Sequence, residues 1–299
     1  MASARKNSTC AARRSRSILF VLGLGVLIFR EMRIKNPLVN FRVLGERNLA
    51  ISCIILFCAF AVLYAASISL PAMLQTLFGY DAFQAGLVLS PGGISSIGAM
   101  VVVGILMGRG TDARWLIAAG LIVMAAANYW MSQLNLQISP GQVVGPRMLL
   151  TLGLGLLFAP ISVAAYKYTP LHLRGAAVGL ASLLRNEGGS VGTSMAQTLQ
   201  ERRDQFHTSR VGEFHDPFNP AVNSYLEQAR AFFFQQTGDA ARSQQMALQA
   251  LENLRQQQAS SLAYFDVFWM TAVLALALAF LVLLMKRSVA EKGAHIAAE

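Results

Sequence analysis

Residues 49–70 read LAISCIILFCAFAVLYAASISL, 22 positions without a single charge. Apolar side chains fall on every face of this stretch, not on alternate positions. A helix rises about 1.5 Å per residue, so roughly 20 residues cross the ~30 Å hydrocarbon core of a bilayer. Backbone groups in lipid find no water to bond, so such a run must be a helix, whereas a barrel strand would alternate.

Five further runs reach the same length: Ala85–Met107, Trp115–Leu134, Val143–Tyr166, Ala176–Leu199 and Leu262–Met285. A seventh, Ser17–Phe29, is 13 residues long and too short to span comfortably. Breaker clusters separate the runs: Gly79-Tyr80-Asp81, Gly108 to Asp112, Ser139-Pro140-Gly141 and Thr169-Pro170. Aromatic residues gather at several ends, as Tyr129-Trp130, Tyr166 and Tyr168, and Tyr264 with Trp269, where an interfacial belt belongs. The expected fold is all-α, a polytopic membrane protein with a six-helix bundle and one short N-terminal apolar segment. Residues 1–48 form a basic N-terminal segment and link, 49–285 the bundle, 200–261 a helical hairpin inserted before the last span, and 286–299 a tail.

Composition agrees. Hydrophobic residues make up 55% of the 299 and charged residues 13%, about half the share of an ordinary soluble domain. These values exclude a disordered chain and argue against a soluble enzyme. The net charge of +10 would suggest nucleic acid in a soluble protein, but its placement points elsewhere. Alternate connections starting at Arg30–Arg47, together with the tail, carry twelve Lys and Arg; the opposite short loops carry only Arg147. That bias puts the first set and the C-terminus in the cytoplasm, facing anionic lipid headgroups. Met1–Arg16 departs from the rule: its five basic residues would lie outside if Ser17–Phe29 spanned. A signal peptide would account for a basic stretch before a short apolar core, yet Arg30-Glu31-Met32-Arg33 follows in place of a small-residue cleavage site. An altered or truncated start is the preferred reading.

Residues 200–261 are polar and nearly balanced in charge. Asn219-Pro220 reads as a helix start, and Val222, Tyr225, Leu226, Ala229, Phe232 and Phe233 recur at helical spacing. Thr237-Gly238-Asp239 breaks the pattern, and Ala247, Leu248, Leu251 and Leu254 resume it. A hairpin outside the membrane follows, either packed on itself over the spans or offered to another protein.

Several motifs in this order resemble the second half of a major facilitator superfamily transporter, and more closely the fourteen-span drug:proton antiporters of the EmrB/QacA type. They are Glu31 to Val39, Gln84-Ala85-Gly86-Leu87 with Ser90-Pro91-Gly92-Gly93, Gly108 to Arg114, Leu184 to Gly192, and Gln258 to Asp266. The resemblance runs from about Arg30 to Arg287. It implies a proton-coupled exporter of lipophilic compounds in a cell inner membrane, working by alternating access around an apolar cavity. It also implies that an N-terminal half, which holds most of the family's proton-coupling acids, is missing. Such a chain would need an opposing bundle or be inactive. The long outer hairpin suits an exporter that docks a periplasmic adaptor protein, itself joined to an outer-membrane channel. A non-transporting scaffold or remnant, binding partners through that hairpin, is the alternative.

Arg185 and Glu187, flanking Asn186, are the ionisable residues deepest in a long run. A charge near the bilayer centre costs roughly 3 kcal/mol or more unless it faces protein or water. Residues two apart point to nearly opposite sides of a helix, so these two cannot pair within it. Either could line a substrate or proton path, or make a structural contact. Asp266 near the outer end of the last span is a further candidate for that path, or an interfacial carboxylate. Gly108, Asp112 and Arg114 suggest a gating loop, a charge latch that stabilises one access state. Gly188, Gly189 and Gly192 offer close helix packing or a flexing point, as does the Gly104/Gly108 step. Pro91 and Pro160 would kink their runs.

Enzymatic chemistry finds no support. The cysteines Cys10, Cys53 and Cys58 form no CxxC, and His207 and His215 with Asp204, Glu213 and Asp216 fit no standard metal spacing. No nucleophile elbow, P-loop or dinucleotide fingerprint is present. The chain reads as a non-enzyme without cofactor; a proton gradient as its energy source is what the family resemblance implies.

Overall fold

A computed structural model describes residues 45–136, 140–167, 169–170, 173–213 and 220–285. The short segment Ser17–Phe29, the link Glu31–Val39, Tyr168, His172, His215 and the tail 286–299 lie outside the described residues. The described chain is helical: α1 Arg47–Phe78, α2 Ala82–Leu89, α3 Pro91–Gly108, α4 Ala113–Ser132, α5 Pro140–Tyr166, α6 Arg174–Glu213, α7 Pro220–Thr237 and α8 Ala240–Val282.

The breakers do what their chemistry requires. Gly79 ends α1 in the left-handed region at φ 66°, its N–H donating to the Leu74 carbonyl. Gly110 and Gly238 are likewise left-handed, at φ 85° and 66°, in the α3–α4 and α7–α8 turns. Asp81 caps α2 in a reciprocal box with Gln84, taking the Ala82 N–H at 2.7 Å while its own N–H reaches Gln84 Oε1 at 3.2 Å. Asp239 caps α8 by accepting from Ala241 and Arg242. Pro91 opens α3 at its first helical position, so the run expected as one helix is two, α2 and α3, jointed at Ser90. Pro160 lies inside α5, as does Pro146, and Pro71 inside α1.

Five helices among the described residues are long and apolar enough to cross a membrane: α1, α2–α3 together, α4, α5 and α8. The sequence reading expected six. The sixth run, Ala176–Leu199, is helical within α6, but Arg185-Asn186-Glu187 and a series of glycines and serines dilute its apolar character. It nevertheless packs along α1 and α8, side by side with helices that do meet the criterion.

Helices α4 and α5 approach most closely at Gly120 and Gly153, where a Cβ on either would come within 2.8 Å of the other's carbonyl. The core lies among α1, α4, α5 and α8. Ile55, Leu121, Leu157 and Ile161 fill one half of it, and Leu70, Met73, Met124, Met131 and Phe268 the other. Two polar bridges cross it. Thr271 on α8 donates to Asn128 Oδ1 on α4 at 3.1 Å, and Ser95 on α3 lies 2.7 Å from Thr151 Oγ1 on α5. Large apolar side chains cover the outside, among them Ile94, Ile97, Phe280 and Leu283. Tyr129 and Trp130 are exposed at the end of α4 as a belt would be, whereas Trp269 is exposed within the length of α8 and Tyr264 is buried.

Helices α6 and α8 are longer than a membrane span needs. At 40 and 43 residues they measure roughly 60 Å each, twice the bilayer core. The hairpin expected at residues 200–261 is therefore their continuous extension, and neither residue 200 nor residue 261 marks a break. The shorter α7 packs on α8. Asp204 on α6 accepts from Ser260 (2.6 Å) and Gln256 (3.3 Å), and Gln257 donates to the Leu77 carbonyl at the end of α1.

Candidate functional site

The bundle has one open side. Helix α3 packs chiefly on α5, and α6 on α1 and α8, so α3 and α6 stand apart as two flanks. Between them α1 and α5 meet along a seam. On α1 the seam carries Phe60, Tyr64 and Ser67, which share a face at four- and three-residue steps. On α5 it carries Arg147 and Phe158, three turns apart on a common stripe.

Two arginines reach this seam. Arg185 enters from α6, its guanidinium carbon 5.7 Å from the Phe60 ring centre and 6.0 Å from that of Phe158. These distances fit cation–π contacts. No hydrogen bond or ion pair to Arg185 occurs among the described residues. Arg147 donates through Nη1 to Ser67 Oγ at 3.1 Å, and its buried Nε has no partner. The sequence reading counted Arg147 as an outer loop charge. Here it lies inside α5, because the helix already begins at Pro140. The signal was available: the residue falls within the apolar run Val143–Tyr166.

Asn186 and Glu187 are exposed on α6, and Glu187 points to nearly the opposite side of the helix from Arg185. The structure thus separates Arg185 from Glu187, as their spacing requires. Gly188 and Gly192 are buried, and a Cβ on either would strike the α1 backbone, at Phe57 and Ala61. A Cβ on Gly189 would meet the Tyr64 ring at 3.1 Å. This glycine face lets α6 lie close enough to bring Arg185 over Phe60. Gly104 and Gly108 have nothing within 4 Å.

Asp112 caps α4, and its carboxylate accepts from Arg114 Nε (3.2 Å) and Nη2 (3.0 Å). Arg114 Nη1 donates to the Met285 carbonyl at 2.8 Å, tying the start of α4 to the end of α8. At the opposite end, Asp266 on α8 accepts from His207 Nε2 at 2.9 Å and pairs with Arg203 at 3.5 Å, both on α6. Asp266 therefore joins the two long helices α6 and α8. No group of three or more His, Cys, Asp or Glu among the described residues could hold a metal ion. Cys53 and Cys58 are free thiols on α1.

A match to the Major Facilitator Superfamily covers residues 5–193, more than half of the chain. The chain belongs to the Major Facilitator Superfamily. Within it, the chain is 27% identical over 271 residues to the multidrug export protein EmrB of Escherichia coli (strain K12), covering 89% of this chain and 50% of that protein. It is 26% identical over 278 residues to the "Probable multidrug resistance protein EmrY" of the same strain, covering 93% and 52%. It is also 27% identical over 259 residues to EmrB of Haemophilus influenzae, covering 86% and 49%. The chain spans about half the length of these curated relatives. The superfamily assignment and the apolar helices make it a multi-pass membrane protein of a transporter family.

Proposed function

We propose that the chain is the C-terminal bundle of a proton-coupled permease that exports lipophilic compounds across an inner membrane. The observation that carries this reading is the open seam, with α1 and α5 as floor, α3 and α6 as flanks, and Arg185 between two aromatic rings. A single bundle forms only one wall of a path. Alternating access needs a second bundle to rock against it around a midplane site. The exposed apolar residues of α3, with Ile94 at 74% and Ile97 at 65% exposure, suit such a partner bundle as well as lipid. The basic residues of alternate loops support a cytoplasmic C-terminus. The long α6 and α8 then stand in the periplasm, where they are suited to an adaptor protein that leads to an outer-membrane channel. The proton gradient, not a bound cofactor, supplies the energy.

The experiment is dye efflux from proteoliposomes under an imposed pH gradient, with the chain alone and with a co-expressed N-terminal bundle. Gradient-driven efflux in either preparation, abolished by a proton ionophore, supports the reading. Its absence from both favours the alternative, a non-transporting scaffold whose outer helices bind a partner.

A further inference from the structure

We infer that the α1–α5 seam is a binding site for the acidic group of a lipophilic organic anion, with Arg185 as inner anchor and Arg147 as outer one. The inference rests on the exporter reading and narrows its substrates. Charge balance is the first ground. Helices α1, α3, α4 and α5 contain no Asp or Glu, and the part of α6 beside them holds only Glu187, exposed on the far face. The acids at the bundle's ends are occupied: Asp112 by Arg114, Asp266 by His207 and Arg203. The seam thus holds two cations and no anion.

Geometry is the second ground. A guanidinium carries five N–H donors in a fixed fork that matches a carboxylate or sulfonate edge-on. Phe60 and Phe158 lie near the Arg185 guanidinium, and none of its donors is used among the described residues. The arrangement leaves the donors for an acid, while the rings and Tyr64 take the apolar body of the same molecule. Arg147, with one bond to Ser67 and an unpartnered Nε, repeats the chemistry roughly 16 Å outward along α5. An uncompensated cation in low dielectric is costly, so a ligand that brings its own negative charge gains what a neutral one cannot.

The test compares three molecules of one skeleton, 6-phenylhexanoate, 6-phenylhexanol and 6-phenylhexylammonium. Binding of the tritiated acid to the full chain in detergent is measured by scintillation proximity, with the other two as competitors. The acid is expected to bind at least tenfold more tightly than the alcohol, with the ammonium weakest. Arg185→Gln should erase that preference, Arg185→Lys should keep part of it, and Arg147→Gln should reduce it less. Thermal melts of each variant separate misfolding from lost recognition. Equal binding of acid and alcohol, or a preference that survives Arg185→Gln in a folded protein, overturns the inference. Neither result touches the exporter reading, which proton-driven efflux of a neutral dye tests independently.

Discussion

Gly192 on α6 rests against the main chain of Ala61 on α1, with no room between them for a single methyl group. One turn earlier Gly188 meets Phe57 in the same way. Close backbone approach of this kind is how helices associate in lipid, where burying apolar surface gives no advantage over facing the acyl chains. It also fixes the position of Arg185, three residues before Gly188, over the α1 aromatic face.

Gly188→Ala and Gly192→Ala should therefore force α6 away from α1. Overpacking of a tight contact costs typically 1–3 kcal/mol. Gly104→Ala meets nothing within 4 Å and should be neutral or slightly stabilising, since alanine is favoured over glycine in a helix by about 1 kcal/mol. Unfolding midpoints of the purified variants in one detergent decide this. If all three shift alike, the α1–α6 contact is not the tight joint described.

The Thr271–Asn128 bridge makes a second expectation. Asn128 is fully buried, with its Nδ2 donating to the Met124 carbonyl and its Oδ1 accepting from Thr271. Thr271→Val keeps the shape and removes the donor. The loss should be about 0.6 kcal/mol and no more than roughly 2, the range for hydrogen bonds between helices in a membrane. A double-mutant cycle with Asn128→Leu should show coupling of the same size. Strict additivity would mean the bond contributes nothing.

Much of this architecture was legible in the chain. The three positive-φ glycines sit in the turns that Gly79, Gly110 and Gly238 announce, because only glycine takes that conformation without steric penalty. Asp81 and Asp239, read from the sequence only as parts of breaker clusters, prove to cap the helices that follow. Apolarity alone misjudges α6, whose role comes from glycines packed on α1 and not from greasiness. The seam was not legible either. Phe60 and Phe158 are ordinary apolar residues in long runs, and nothing local says that a distant arginine lies over both. Arg147 was misplaced because helix ends are poorly marked where two glycines and two prolines, Pro140, Gly141, Gly145 and Pro146, sit in the first turns.

Arg114 links the Asp112 carboxylate to the Met285 carbonyl and so ties the α3–α4 turn to the end of α8. Asp112→Asn removes the charge but leaves Arg114 able to reach Met285. In a transporting assembly this variant should alter the rate of switching between access states, with substrate affinity within about twofold, a change of roughly 0.4 kcal/mol. Paired measurements of binding and turnover test it, and a change confined to affinity removes the latch role.

Glu187 is the one acid along the part of α6 that packs beside the spans, and it faces away from its own bundle. An ionisable group at such depth is tolerated where it meets protein or a wet cavity, so its face should meet water or protein and not lipid. If protons enter the cycle there, Glu187→Gln should lower pH-gradient-driven efflux while leaving binding of the substrate and the unfolding midpoint nearly unchanged. Arg185→Gln should do the reverse, weakening capture of an acidic substrate first, because Arg185 lies on the seam and Glu187 does not. Flux under a fixed gradient, measured for both variants beside equilibrium binding, separates the two roles. Full proton-driven efflux by Glu187→Gln removes that residue from the coupling mechanism.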